Sequence, residues 1–192
     1  MLPDLKRFAD DGSVFLSIAA GKTLTYFASH LGAGAKVVRS MPNTPAAVRQ
    51  GITVACASPG VSAAEKKRCQ ELLEAVGQAL WVEDESLLDP VTALSGSGPA
   101  YVFLLVETLA AAAEAEGLPR ELAQKLARAT ITGSGALLDG DPSPPEILRR
   151  NVTSPHGTTE AALQVLMSSK GLAPLMRRAV AAARKRAKEL GS

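Results

Sequence analysis

Aromatic side chains make up only 4% of this 192-residue chain, and cysteine occurs twice, as Cys56 and Cys69. One thiol falls in an apparent strand and the other in an apparent helix, which excludes a disulfide framework and any CxxC-type metal-ligand spacing. A reducing, cytoplasmic compartment is therefore expected. Charge of one sign is also lacking: a formal net charge of +2 is too small to draw the chain towards nucleic acid or membrane as a whole. No uncharged apolar run reaches the about 18 residues that a bilayer span requires, and the nearest, residues 99–113, is interrupted by Glu107. The N-terminus shows no apolar stretch behind a basic one, so no secretory leader is expected. The two histidines, His30 and His156, form neither a zinc motif nor a nucleophile triad.

What is present is a chain 46% hydrophobic, enough for a sizeable core in one large domain or two small ones. Over residues 1–86 short β-branched or apolar runs (14–18, 36–40, 52–56 and 79–82) alternate with helical patterns at 22–31 and 62–76, the second opened by a Ser62/Glu65 capping box. That alternation predicts an α/β layer with parallel strands. Over residues 87–192 strands disappear. Helices are expected at 99–116, 120–138, 158–168 and 172–190, punctuated by Gly117-Leu118-Pro119, by the 140–145 turn and by Ser154-Pro155-His156-Gly157.

The first of these helices is apolar on nearly every side, and small residues such as Ala129 and Gly133 on the next suit close helix packing. Interleaved helices of a homodimer would cover both; a bundle within one chain is the alternative. The basic residues of the last helix, Arg177, Arg178, Arg184, Lys185, Arg186 and Lys188, read as a solvated face. Cations near a helix C-terminus complement its dipole, and no aromatics interleave to stack bases.

An α/β half invites a search for the dinucleotide fingerprint GxGxxG. None exists. The pairs Gly32/Gly34, Gly96/Gly98 and Gly133/Gly135 continue with Val37, Tyr101 and Leu138 where the third glycine should stand. Either the fold is not a nucleotide binder, or the first mononucleotide-binding half lies upstream of Met1.

Four segments bear on that choice: Ile18-Ala19-Ala20-Gly21-Lys22-Thr23; Arg39-Ser40-Met41-Pro42-Asn43-Thr44-Pro45; the run from Asp89 through Ser95-Gly96-Ser97-Gly98-Pro99 to Tyr101; and Asn151-Val152-Thr153-Ser154-Pro155-His156-Gly157-Thr158-Thr159-Glu160. In order and separation they resemble the pyrroline-5-carboxylate reductases, and the resemblance covers essentially the whole chain. It implies a Rossmann-like domain, entered midway and without its Gly-rich loop, followed by a helical dimerisation domain. The implied activity is hydride transfer from NADPH or NADH to 1-pyrroline-5-carboxylate, giving L-proline, in a homodimer or higher homo-oligomer that engages neither nucleic acid nor membrane. Two alternatives are a truncated, non-catalytic dimerisation or interaction member of the family, and another Rossmann reductase such as a hydroxyacid dehydrogenase. The 154–160 loop disfavours the latter.

By the same resemblance Ile18, Ala19, Ala20, Met41, Asn43 and Asn151 meet the cofactor. Glu85, Thr92, Ser154, Gly157, Thr158 and Thr159 meet the substrate, Thr159 being the candidate catalytic residue. No metal is implied. The loop has a physical logic of its own, since a Pro/Gly turn delivers two hydroxyls to a helix start, where free N–H groups favour an anion such as a carboxylate. The plainer alternative makes Thr158 an N-cap only. Glu85 is read either as approaching the proline ring nitrogen or as an exposed carboxylate of the Glu83-Asp84-Glu85 cluster. His156 stands where the family commonly has a small residue such as glycine and is expected at the loop surface, the alternative being that it modulates the pocket.

Overall fold

The computed structural model describes residues 2–191, the side chains of 2, 3 and 10 apart. The elements begin with α1 (Leu2–Asp10), β1 (Val14–Ser17), α2 (Leu24–Leu31), β2 (Lys36–Met41) and β3 (Gly51–Ala57). They continue with α3 (Ala63–Glu74), β4 (Gly77–Trp81), a short α4 (Leu88–Val91) and a π turn (Thr92–Gly96). The chain ends in α5 (Gly98–Ala115), α6 (Arg120–Gly140), α7 (Pro145–Asn151), α8 (Thr158–Leu166) and α9 (Leu172–Gly191). The four strands and six helices expected from the sequence all form, with ends shifted by a few residues. Helices α1, α4 and α7 are additions.

The strands lie in the order β1-β2-β3-β4. β1 pairs with β2, and β3 with β4, in parallel as expected, but β2 and β3 run antiparallel. Connection length explains the difference: only residues 42–50 join β2 to β3, and a parallel crossover needs a dozen or more. A 3₁₀ turn, Thr44–Val48, with Pro45 in its first turn, reverses the chain instead.

Alternation along β2 explains why its apolar run is continuous. Val37 packs with Phe27 and Leu31 of α2 on one face, while Val38 packs with Ala55 of β3 and Cys69 and Leu73 of α3 on the other. Val37, Arg39 and Met41 share the first face. There Leu88, fully buried, closes a third cluster with Val54 and Cys56, bordered by Leu24 and Met41. Burying that one side chain contributes about 1.5–3 kcal/mol. Cys56 and Cys69 are free and buried, and burial pushes both thiols up, so they stay protonated and inert as nucleophiles at neutral pH.

Helix α3 starts as the sequence predicts. The Ser62 hydroxyl accepts from the Glu65 N–H and the Glu65 carboxylate accepts from the Ser62 N–H. Glu65 also accepts from Lys36 Nζ at 2.8 Å, and Lys36 first, then Ser62, holds its carboxyl at about 2 against an ordinary 4.5. A depressed folded-state pKa contributes stability that is fully present above the unfolded value and lost as pH falls towards the folded one. Denaturant stability should therefore decline between about pH 4.5 and 2, and Glu65→Gln should flatten that decline. An unchanged acid limb in the variant would refute the assignment.

The chain forms two compact units. One comprises everything up to Pro99 together with the chain from Val180 onward, and the other is Ala100–Ala179. Leu88 and Val91 pack with Val54 and Cys56 of β3, within the first unit. The end of α9 belongs with the same unit.

In the second unit α5 is not covered by its own chain. Val102, Phe103, Leu104 and Leu105 are 42–60% exposed and the helix buries only Ala110, so the single-chain bundle is not what forms. The helical run Glu85–Ala115 is long and apolar enough by composition to cross a membrane, although it carries Glu85, Asp89, Glu107 and Glu114 and is interrupted by the π turn.

Candidate functional site

The predicted residues fall into two groups, one in each unit. In the sheet unit the carboxyl ends of β1 and β2 finish side by side, with Ser17 opposite Arg39. This is the place where open α/β sheets present ligands. Beyond β1 come Ile18, Ala19 and Ala20, all exposed. The turn is shaped by the Ser17 hydroxyl, which accepts from the Ala19 N–H, and by Gly21 at φ 72. A side chain at Gly21 would meet the Leu190 carbonyl oxygen at 2.7 Å, so this position needs glycine both for its dihedral and for the approach of α9.

Beyond β2 the two predicted residues are held differently. Asn43 accepts from the Ile52 N–H through Oδ1 at 2.9 Å, which commits that oxygen to the 42–50 reversal. The Met41 side chain lies over the π turn, where a Cβ at Gly96 would stand 2.6 Å from Met41 Cε. Thr92 opens that turn. Its hydroxyl donates to the Leu88 carbonyl at 2.7 Å, and its carbonyl accepts from both the N–H and the hydroxyl of Ser97. π turns inserted in helices recur at functional sites because they redirect the chain by one residue.

Glu85 is not an exposed member of an acidic cluster. One of its oxygens, Oε1, accepts from Arg39 Nη1 at 2.8 Å and from the Leu24 N–H at 2.8 Å. Arg39 itself is buried, its side chain 7% exposed. No role was read for Arg39 from the sequence. The available signal was a charged residue following two valines in a strand buried on both faces, which requires a paired partner.

In the helical unit Asn151 ends α7 and is exposed, and residues 152–157 lead to α8. Gly157, not Thr158, is the N-cap, and no side chain caps this helix; Thr158 is exposed and Thr159 half-buried in the first turn. The reading of Thr158 as a simple cap is therefore overturned. The Glu160 carboxylate reaches back to accept from the His156 N–H at 2.7 Å, fixing the loop from the helix side. Gly157 lies against Ser154, whose Oγ would be 2.4 Å from an added Cβ.

His156 is exposed, as expected, and adopts φ 59. A left-handed backbone strains any residue with a Cβ, so His156→Gly should raise thermal stability by up to about 1 kcal/mol, once glycine's greater freedom in the unfolded chain is set against that relief. A loss of stability would mean that the imidazole makes contacts worth more than the strain.

Residues 85–190 match the family model for pyrroline-5-carboxylate reductase dimerisation. The chain belongs to the pyrroline-5-carboxylate reductase family. A pyrroline-5-carboxylate reductase of Pseudomonas aeruginosa is 45% identical over 177 residues, covering 92% of this chain and 64% of that protein. The Arabidopsis thaliana enzyme of the same name is 41% identical, covering 97% and 67%. Among solved structures the Coxiella burnetii pyrroline-5-carboxylate reductase superposes with a TM-score of 0.93 at 39% identity, over 100% of this chain and 71% of that one. A Plasmodium falciparum relative solved with NADP bound gives 0.87 at 32%, over 100% and 72%. The chain thus spans roughly two thirds of the length of the curated relatives it matches. A Rossmann-like α/β unit followed by a helical dimerisation region is the arrangement of this reductase family member, and the hydroxyacid dehydrogenase alternative falls away.

Proposed function

We propose that this chain carries the substrate end and the nicotinamide-facing part of a pyrroline-5-carboxylate reductase, acting in the cytoplasm as a homodimer or higher homo-oligomer. The observation that carries this reading is the uncapped start of α8, where Gly157, Thr158 and Thr159 follow the Ser154 turn, in a chain of this family. The first N–H groups of a helix and two hydroxyls form a cradle for a carboxylate, the one full negative charge that 1-pyrroline-5-carboxylate presents on its ring.

The nicotinamide group, bound as NADPH or NADH, supplies a hydride. The chain's own residues do the rest. Ala19 and Ala20 fit such a ring because small side chains at an exposed strand end let a planar group approach the backbone, and Ile18 is assigned to the same ring beside them. Met41 and Asn43, at and beyond the end of neighbouring β2, and Asn151 are assigned to the same end of the cofactor. Ser154, Gly157, Thr158 and Thr159 hold the substrate carboxylate, with Thr92 assigned to the ring. The C=N carbon gains the hydride while the nitrogen keeps its proton, giving L-proline. A protonated imine is already electrophilic, so orientation supplies most of the rate. The exposed apolar side of α5 suits a second copy better than lipid, since the same helical run holds four carboxylates.

The test is oxidation of NADPH or NADH by the purified chain at high protein concentration, with and without pyrroline-5-carboxylate, and with proline measured as product. Substrate-dependent turnover supports the reading. Folded, soluble protein that makes no proline would favour a non-catalytic dimerisation role.

A further inference from the structure

We propose that Glu85 is a positioning residue, which orders the nicotinamide-facing turn through Leu24 and Arg39 rather than by touching substrate. This role rests on the reductase reading above. Three elements meet at a single oxygen. Leu24 opens α2, the helix that directly follows the Ile18-to-Thr23 turn, and its N–H is one of the donors that a helix start leaves without an intrahelical acceptor. Thr23 satisfies the Tyr26 N–H at 3.0 Å, and Glu85, 61 residues away in sequence, satisfies Leu24. A carboxylate there also sits favourably at the positive end of the helix dipole.

The same oxygen holds Arg39, whose side chain shares a face of β2 with Met41, two residues on. Glu85 also begins the 3₁₀ turn Glu85–Leu87 that leads to buried Leu88 and then to the π turn against which Met41 lies. The carboxylate therefore ties together the turn after β1, the end of β2 and the segment carrying Thr92. Two charge-assisted hydrogen bonds at 2.8 Å, the one to Arg39 from a nearly buried guanidinium, are stronger and more directional than neutral ones. Lost together, they free all three elements.

The experiment compares Glu85→Ala and Glu85→Gln with the unaltered chain. Its readouts are amide hydrogen exchange over residues 18–24 without ligand, titration of NADPH by nicotinamide fluorescence, and separate KM values for NADPH and pyrroline-5-carboxylate. Glutamine keeps an acceptor oxygen for both donors and serves as the variant that folds if alanine does not. Glu85→Ala should speed exchange at Leu24 and its neighbours and weaken NADPH binding by about tenfold, with the KM for pyrroline-5-carboxylate changed by less than about twofold. Glu85→Gln should recover most of that loss. A direct bond to the ring nitrogen predicts the reverse, with glutamine as damaging as alanine and the effect confined to the substrate KM, and would overturn the proposal. Unaltered NADPH binding by a folded alanine variant would overturn it alone, whereas an unaltered chain that binds no NADPH would overturn the reductase reading and this role with it.

Discussion

Gly77→Ala is expected to cost about 3–5 kcal/mol, a large part of the stability of a domain of this size. Gly77 opens β4 at φ 143, and a Cβ there would stand 2.0 Å from the Gly51 carbonyl oxygen and 2.5 Å from the Gly51 nitrogen. These are backbone atoms of the neighbouring strand. Gly51 is itself fixed, because its N–H is bonded to the Val76 carbonyl and Ala46 stands so close that a Cβ on Gly51 would be 2.9 Å from the Ala46 Cα. Gly60 supplies the control: φ is 93, also left-handed, but nothing stands within 4 Å of an added Cβ, so Gly60→Ala should cost only the dihedral strain, about 1–2 kcal/mol. Equal losses in the two variants would show that strain, and not the close approach of two strands, governs Gly77. The damage should also reach the candidate site, since Ile52, next to Gly51, donates to Asn43.

Element identity was legible because periodicity and capping chemistry are local. Residues 14–18 and 36–40 announce strands by β-branched or apolar content, and Ser62 with Glu65 announces a helix start that forms with both of its expected bonds. Strand direction was less legible. It depends on the length and geometry of the 42–50 connection, and the helix-and-strand alternation around it pointed to parallel pairing throughout. The exposure of α5 agrees with the homodimer reading rather than the single-chain bundle, although an all-apolar helix states only that it needs partners and not which chain provides them.

The site was legible where a motif supplies backbone, and illegible where a side chain acts across the fold. The Ser154-to-Glu160 loop precedes α8 as expected, but that Gly157 and not Thr158 sits at the cap follows from one residue of register, finer than any pattern fixes. Glu85 is the plainest case. Its partners, Leu24 and Arg39, lie 61 and 46 residues away, and only the face shared by Val37, Arg39 and Met41 brings them together. A charged residue inside a buried strand was the one visible sign that such a partner had to exist.

Thr159→Ala should lower kcat/KM for pyrroline-5-carboxylate by about 10- to 100-fold, because a hydrogen bond to a charged group contributes about 1.5–3 kcal/mol and each 1.4 kcal/mol is a factor of ten. Thr159 is half-buried in the first turn of α8, whereas Thr158 is exposed beside it, so Thr158→Ala should cost less. Stability should move by under about 0.5 kcal/mol, since Thr159 caps nothing and alanine favours the helix. Thr159→Ser, which keeps the hydroxyl, should restore most of the activity. How the loss divides is informative in itself. A carboxylate held equally in the ground and transition states predicts a rise in KM at constant kcat, whereas a fall in kcat means that the hydroxyl also sets the angle at which the C=N carbon meets the cofactor. A folded alanine variant with kcat/KM within about twofold of the unaltered chain would remove Thr159 from the carboxylate cradle and leave the N–H groups of α8 to hold the anion alone.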